Sequence, residues 1–304
     1  MDNQLWNELR EISGEENVHA DEPMSSHTTF RIGGPADLYI VPRKITEIAR
    51  LADVLRSCCI PYFILGNGSN LLVSDRGFRG VVIQIGKNLN HVEAEGTTIR
   101  AEAGALLSRT AAAACEHGLT GMEFASGIPG TVGGACVMNA GAYGGEIGDI
   151  LKSVTILDEN DSVRTLSPGE MLFGYRCTRV QFEPWIVLGA EICLTEGDQD
   201  QIRARMNELK EKRTAKQPLE YPSAGSTFKR PEGFFAGKLI SDAGLRGYRV
   251  GGAQVSEKHC GFVINRGGAT AADVLALIRH VQDVVGQTFG VHLEPEIRML
   301  GFGE

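Results

Sequence analysis

The 304-residue sequence predicts an α+β chain of more than one module, and three observations carry that prediction. Helical and strand-like apolar periods alternate along it. Glycine is crowded into segments that neither a helix nor a strand would choose for its own stability. A proline-marked break, Gln217-Pro218-Leu219-Glu220-Tyr221-Pro222, follows a long charged helix and precedes a smaller carboxy-terminal part. Single domains usually run about 100–150 residues, so the length leaves room for two or three modules.

Taken in order, Ile45, Ile48, Leu51, Ala52 and Leu55 recur at helical spacing over 44–59, and Pro61 then leads into an apolar run at 62–65 that reads as a buried strand. Further strands are predicted at 81–85 and 97–101. Residues 106–117 read as a helix closed by Gly118, a residue at ease in the left-handed cap conformation. Strands follow at 154–157, 163–166 and 185–194, and a charged helix spans 199–216. Beyond the prolines we expect a helix at 234–243, strands at 252–255 and 261–265, and a helix over 271–285. A last strand at 296–300 would complete that module's sheet.

Composition removes several function classes. A net charge of −8 argues against a general nucleic-acid surface, which needs a clustered excess of Lys and Arg. No apolar run approaches the roughly 20 residues that cross a bilayer, and Met1-Asp2-Asn3-Gln4 lacks the start of a secretory signal, so membrane insertion is not expected and a cytoplasmic protein is. The cysteines at 58, 59, 115, 136, 177, 193 and 260 include no Cys-x-x-Cys pair and no histidines at zinc-finger spacing. They read as reduced, mostly buried thiols, with Cys58 and Cys59 packed at a helix end rather than forming a redox pair. No metal site is expected.

Two glycine-rich stretches remain to be explained. One is Gly66-Asn67-Gly68-Ser69-Asn70 after the strand at 62–65; the other is Gly127-Ile128-Pro129-Gly130-Thr131-Val132-Gly133-Gly134, continued by Asn139 and Gly141. Bare backbone at such density implies close approach to something, and a bound cofactor is the leading candidate. Leu71 stands where the third glycine of a Rossmann fingerprint belongs, and no Walker sequence occurs. Backbone N–H groups in turns can still form a nest for a pyrophosphate.

These stretches, with Phe30-Arg31-Ile32-Gly33-Gly34-Pro35-Ala36, Phe173-Gly174-Tyr175-Arg176, Ser223-Ala224-Gly225-Ser226-Thr227-Phe228-Lys229-Arg230-Pro231, Val250-Gly251-Gly252-Ala253-Gln254-Val255 and Leu293-Glu294-Pro295-Glu296, resemble the UDP-N-acetylenolpyruvoylglucosamine reductase family over nearly the whole chain. The resemblance implies a two-lobed FAD-binding domain of the vanillyl-alcohol oxidase/PCMH type over 1–200, with lobes at about 1–85 and 86–200. A smaller C-terminal α+β substrate-binding domain, 201–304, would close over the sugar nucleotide. FAD would be held non-covalently by the two glycine-rich stretches, and NADPH would reduce it and leave. UDP-N-acetylenolpyruvoylglucosamine would follow into the same cleft and become UDP-N-acetylmuramate, a peptidoglycan precursor for the cell wall.

An enolpyruvyl ether carries a double bond conjugated to a carboxylate, so hydride from flavin N5 should reach C3 and leave charge spread from C2 into the carboxylate. The resemblance makes Arg176 the cation facing that charge, Glu296 its acidic partner and Ser226 the acid that protonates C2. It places Tyr175 and Lys229 toward the sugar nucleotide, and more weakly Arg230 and His259. The family's common residue after Lys229 is asparagine, so Arg230 is a departure bearing on diphosphate recognition. His259 stands where shorter members carry histidine and others glutamine. The compact stretch 234–252 leaves no room for the tyrosine-bearing loop of the longer branch, so the chain resembles the shorter one. Cys177-Thr178-Arg179 and Cys260 also depart from the pattern.

Plainer readings stand beside each residue. Alone, Ser226 fits a turn or helix cap, Arg176 a solvated charge, Glu296 a salt-bridged strand residue and His259 a satisfied structural imidazole. The coincidence with the family motifs favours the catalytic reading of the first three. Other functions to be weighed are a flavin oxidase of the same fold, a catalytically dead sugar-nucleotide sensor, and a nucleotide-binding module without flavin.

Overall fold

Leu5, Leu9 and Ile12 line one face of the helix Asn3–Ser13, and Ile48, Leu51, Ala52 and Leu55 recur along Ile45–Ser57, so both helices present an apolar stripe. In the computed structural model, which describes residues 3–303, the chain divides into two compact units. The first gathers residues up to Ala20, Leu38–Asn67 and Gly80–Arg213; the second gathers Asp21–Asp37, Gly68–Arg79 and the chain from Thr214 on.

Two sheets organise the first unit. The smaller has the order Val18–Pro23, Pro35–Ile40, Phe78–Gln84, Tyr62–Leu65, the last two parallel with Tyr62 opposite Val81. The strand Tyr62–Leu65 lies at the sheet's edge, and of its residues only Leu65 is buried; the expectation of a buried strand is corrected to that extent. Leu51 and Leu55 join Leu9, Ile12, Ile40, Val81 and Ile83 in one core. Ile48 and Ala52, on the same helix, join a second core. Each leucine, isoleucine or valine among these that is fully withdrawn from water contributes roughly 1.5–3 kcal/mol.

The second core lies against a five-stranded sheet in the order Val163–Leu166, Leu151–Leu157, Ile186–Cys193, Thr98–Glu102, Val92–Glu95, every neighbouring pair antiparallel. Its buried residues include Ile99, Val154, Ile156, Leu188 and Ile192. The helices Leu107–Glu116 and Val132–Met138 meet this core through Ala111, Ala114 and Ala135, small side chains that permit close approach.

The second unit is built on the helix Ala271–Phe289, whose Val274, Leu277, Ile278, Val281 and Val285 are buried. With the helix Ala236–Asp242 and the antiparallel strands Arg249–Val250, Ala253–Val255 and Val263–Asn265 it encloses a core that also takes in Phe30, Ile32, Leu72 and Phe228. The last strand, Arg298–Leu300, does not complete this sheet. It pairs in parallel with Leu71–Val73, a partner more than two hundred residues earlier that local pattern cannot announce. Among the described residues no helix is long and apolar enough to cross a membrane.

The cysteines correct another expectation. Cys115, Cys136 and Cys260 are buried and Cys177 is half-buried, but Cys58, Cys59 and Cys193 are exposed. Cys58 and Cys59 lie in the turn that ends the helix Ile45–Ser57, where the backbone winds left-handed at Cys59 (φ 52°) and leaves the buried face behind. Burial pushes the Cys136 thiol up to about 12, which keeps it protonated and inert.

The amino end of Ala271–Phe289 is capped twice. Thr270 and Asp273 form a capping box, and the carboxylate of Asp75 accepts the N–H groups of Ala271 (2.7 Å) and Ala272 (2.9 Å). Asp75→Ala therefore strands two donors and is expected to lower stability by about 1–3 kcal/mol. The urea-unfolding midpoint should fall, and by less for Asp75→Asn; an unchanged midpoint in Asp75→Ala would contradict the cap.

Candidate functional site

The first unit sets the two glycine-rich stretches side by side. Leaving the strand Tyr62–Leu65, the chain turns at Gly66, whose carbonyl accepts from Gln84 Nε2 at 3.3 Å, and Asn67 Nδ2 donates to the Pro129 carbonyl at 2.7 Å. The approach is too close for side chains: a Cβ on Gly66 would stand 2.5 Å from Thr131 Oγ1. Thr131 is buried and caps the helix Val132–Met138 by accepting from Gly134 N at 3.3 Å. Gly133 presses that helix onto the strand end, since a Cβ there would lie 2.9 Å from the Ala103 side chain. Gly127, Ile128 and Gly130 are half-buried, and Asn67, Pro129 and Gly134 are exposed.

Asn139 is wholly buried in a left-handed conformation (φ 42°). Its Nδ2 donates to Glu146 Oε1 (2.8 Å) and to the Gly174 carbonyl (3.0 Å), and its Oδ1 accepts from Gly148 N (3.0 Å). The side chain is thus occupied by the protein and fixes the hairpin beginning at Gly141, where a Cβ would collide with Gly145 O at 2.7 Å. The same amide holds the tight turn from Gly174 to Cys177.

That turn carries Tyr175 and Arg176. Gly174 and Cys177 exchange backbone hydrogen bonds at 2.9 and 3.2 Å, and Arg176 has φ 55°, a position where a type II turn favours glycine. Arg176 Nη1 donates to Asn139 O at 3.2 Å and Nη2 to Gly141 O at 2.8 Å, while the guanidinium lies 5.0 Å from the Tyr175 ring centroid. Gln181, which sequence reasoning passed over, donates to the carbonyls of Val137 and Arg176 and braces the turn from below. A lone glutamine offers no motif by which it could have been found.

The second unit holds Ser226 and Glu296. Gly225 has φ 76° with nothing near its missing side chain, so its glycine serves the turn rather than the space. Thr227, next in line, is clamped on both sides: its N–H donates to Gly261 O (2.8 Å), its Oγ1 accepts from Val263 N (2.9 Å), and its carbonyl accepts from Glu296 N (2.8 Å). Phe228 bridges Pro295, and Lys229 N donates to Glu294 O at 2.8 Å. Ser226, exposed, and Glu296, half-buried, therefore lie at neighbouring ends of an antiparallel pairing. Asn70 secures the far side, donating to Glu296 O at 3.2 Å and accepting from Arg298 N at 3.0 Å. In the same unit, Gly68 passes His27 O where a Cβ would come within 2.0 Å, and Ser69 is half-buried.

The remaining candidates are spread over this unit. Lys229 is ion-paired with Glu294, and the Arg230 guanidinium stacks 3.9 Å from the Phe235 ring centroid. His259 Nδ1 accepts from Gly261 N at 3.2 Å, and the ring meets Phe262 edge-on at 5.0 Å. The structure thus groups Gly66, Asn67 and 127–134 in the first unit, with Arg176 on Asn139 and Gly141. It groups Gly68, Ser69, Asn70, Ser226, Lys229, Arg230, His259 and Glu296 in the second.

The chain is 56% identical over 297 residues, 98% of each sequence, to a UDP-N-acetylenolpyruvoylglucosamine reductase of Caldanaerobacter subterraneus subsp. tengcongensis. The chain belongs to the UDP-N-acetylenolpyruvoylglucosamine reductase family. Residues 217–300 match that family's C-terminal domain and 36–167 match the FAD binding domain family. The crystal structure of the MurB reductase from Thermus caldophilus superposes with a TM-score of 0.81 at 36% identity, covering 91% of this chain and 97% of that one. An alkyldihydroxyacetonephosphate synthase, 16% identical with a TM-score of 0.50 over 64% of this chain and 41% of its own, shares the fold alone.

As a family member the chain is an FAD-dependent oxidoreductase of peptidoglycan precursor synthesis. The residues present fit that cofactor: the adjoining loops 66–67 and 127–130 offer bare main chain, and neither contains a carboxylate that would repel a pyrophosphate.

Burial, assisted by the positive charge of Lys216, lowers the His259 pKa below the ordinary imidazole value. The unfolded chain then takes up this proton near pH 6.5 while the folded chain resists it, so His259 costs stability as pH falls below that point and costs nothing above it. Comparing unfolding free energies at about pH 7.5 and 5.5, His259→Gln should lose less on acidification than the parent chain. Equal losses would show that this imidazole does not titrate with folding.

Proposed function

We propose that the chain uses NADPH to reduce UDP-N-acetylenolpyruvoylglucosamine to UDP-N-acetylmuramate in the cytoplasm. The observation that carries this reading is the pairing that fixes Ser226 beside Glu296 through Thr227, within a chain matched end to end by a reductase of that name. Bound FAD supplies the hydride that C3 of the enolpyruvyl group receives. Arg176 then faces the negative charge spreading from C2 into the carboxylate. Its guanidinium, fixed by the carbonyls of Asn139 and Gly141, is a preorganised positive charge, and such a group aimed at developing charge is worth about 3–4 kcal/mol.

Ser226 gives its hydroxyl proton to C2 and so sets the new stereocentre. A hydroxyl is a weak acid, and placement has to supply what acidity does not. The clamped Thr227 beside Ser226 supports that role, because its three hydrogen bonds restrain the serine backbone on one side. Glu296 is the acidic partner of the same charge. Tyr175, Lys229 and Arg230 supply a phenol and two cations for the diphosphate, with Lys229 exchanging its Glu294 partner for phosphate oxygens. Gly66, Asn67, Gly68, Ser69 and Asn70 would hold FAD together with Gly127, Ile128, Pro129, Gly130, Thr131, Gly133, Gly134, Asn139 and Gly141.

The test is anaerobic. NADPH should bleach the yellow protein, and UDP-N-acetylenolpyruvoylglucosamine should restore the colour; reoxidation by air alone would favour an oxidase. Ser226→Ala is expected to leave bleaching nearly intact and to slow reoxidation by substrate roughly 10²–10⁴-fold. Equal slowing of both half-reactions in stopped flow would remove Ser226 from the proton transfer.

A further inference from the structure

The helix Gln199–Lys216 buries one narrow stripe. Ile202 and Leu209 are buried and Met206 packs against the core of the five-stranded sheet, spacings of four and three that set them on one face. The next position on that stripe, four residues beyond Leu209, is Arg213. An arginine thus occupies the place where the pattern calls for an apolar side chain.

Its side chain runs along the second glycine-rich stretch. A Cβ on Gly127 would stand 3.1 Å from Arg213 Cδ, with Nη1 and Nε at 3.8 and 3.9 Å, so the glycine leaves room for the arginine stem. Arg213 is half-buried, and among the described residues its guanidinium meets no hydrogen-bond acceptor and no carboxylate. The group acting on its charge is the Tyr143 phenol, while burial lowers its basicity. A cation partly withdrawn from water with no counter-charge opposes folding. The neighbouring stretch 127–134 contains no acid that could serve as one.

We propose that Arg213 is the counter-charge for a pyrophosphate seated against the loop 127–130. A planar fork can grip two phosphate oxygens at once, and bare main chain lets a pyrophosphate come close. The inference rests on the FAD-dependent reading of the family. Two ligands of that reading carry the group: FAD itself and the uridine diphosphate part of the sugar nucleotide.

Flavin-free protein titrated with FAD and with riboflavin, followed by quenching of flavin fluorescence, separates charge from ring binding. Arg213→Gln should weaken FAD on the order of ten- to a hundredfold, leave riboflavin unchanged and flatten the salt dependence of FAD affinity. Arg213→Lys, which keeps the charge and loses the fork, should fall between. If Arg213→Gln does not reach the parent's circular dichroism, the affinity of Arg213→Lys and its salt dependence decide between the two outcomes. Flavin-loaded proteins titrated with uridine diphosphate give the second arm. Weakening confined to FAD or to uridine diphosphate supports the proposal and assigns the source, and unchanged affinity for both overturns it. A parent protein that takes up no FAD would instead overturn the cofactor reading.

Discussion

Main chain packed directly on main chain is the constraint from which the rest of the architecture follows. In the second unit a Cβ on Gly77 would fall 1.7 Å from Pro35 O, on Gly34 2.2 Å from Asp75 O, and on Gly301 2.0 Å from Gly77 O. No rotamer relieves such contacts, because the obstacle is backbone. They hold 33–35, 74–77 and the strand end at Leu300 in one place, and Asp75, placed among them, reaches the amino end of the helix Ala271–Phe289. In the first unit Gly104, 2.4 Å from Gly86 O by the same measure, packs the chain after the strand Thr98–Glu102 onto 86–89, and Gly133 brings the helix Val132–Met138 onto Ala103. Bare backbone here has two uses, and most of the crowded glycines serve the chain itself.

That division marks the limit of what the sequence discloses. Strong periods were legible: the charged helix falls on Gln199–Lys216 as its pattern implies, and the helix 271–285 is present and longer by one turn, to Phe289. The motif residues Ser226 and Glu296 were legible as candidates, and their pairing was not, because it depends on a ladder between segments some seventy residues apart. The partner of Arg298–Leu300 was hidden for the same reason. Cys58 and Cys59 were misjudged because an apolar period says where a helix buries its face and nothing of the turn that ends it. Gly66 and Gly133 looked like cofactor contacts, and each is also required by a protein neighbour, a distinction that glycine content alone does not carry.

Rigidity at Ser226 is inherited rather than intrinsic. The serine side chain lies in exposed chain, which by itself would wander. Thr227 beside it is buried and committed through its N–H, carbonyl and hydroxyl to three different partners, two of them on the segment 261–263 and one at Glu296. Displacing Thr227 means breaking at least one of these bonds where an unmade hydrogen bond costs about 1–3 kcal/mol, and Ser226 is its immediate chain neighbour. For the proton transfer proposed for Ser226, a poor acid held this firmly suits a group that is itself strongly basic.

Strain is concentrated where Arg176 is held. Asn139, Tyr143, Leu172 and Arg176 all have positive φ without being glycine, and such positions cost on the order of 1–3 kcal/mol each when bulky. Glycine would suit the turn at 176 better, and would provide no guanidinium. The offset comes from the buried amide of Asn139, whose three hydrogen bonds join Glu146, Gly148 and Gly174, and from the two carbonyls that receive the Arg176 fork. Those carbonyls belong to Asn139 and Gly141, so the residue that holds the turn also orients the cation the turn presents. An arginine tethered only by its own flexible side chain would have to be ordered anew each time it met an anion. Here the strained backbone and the occupied fork have already paid that entropy during folding.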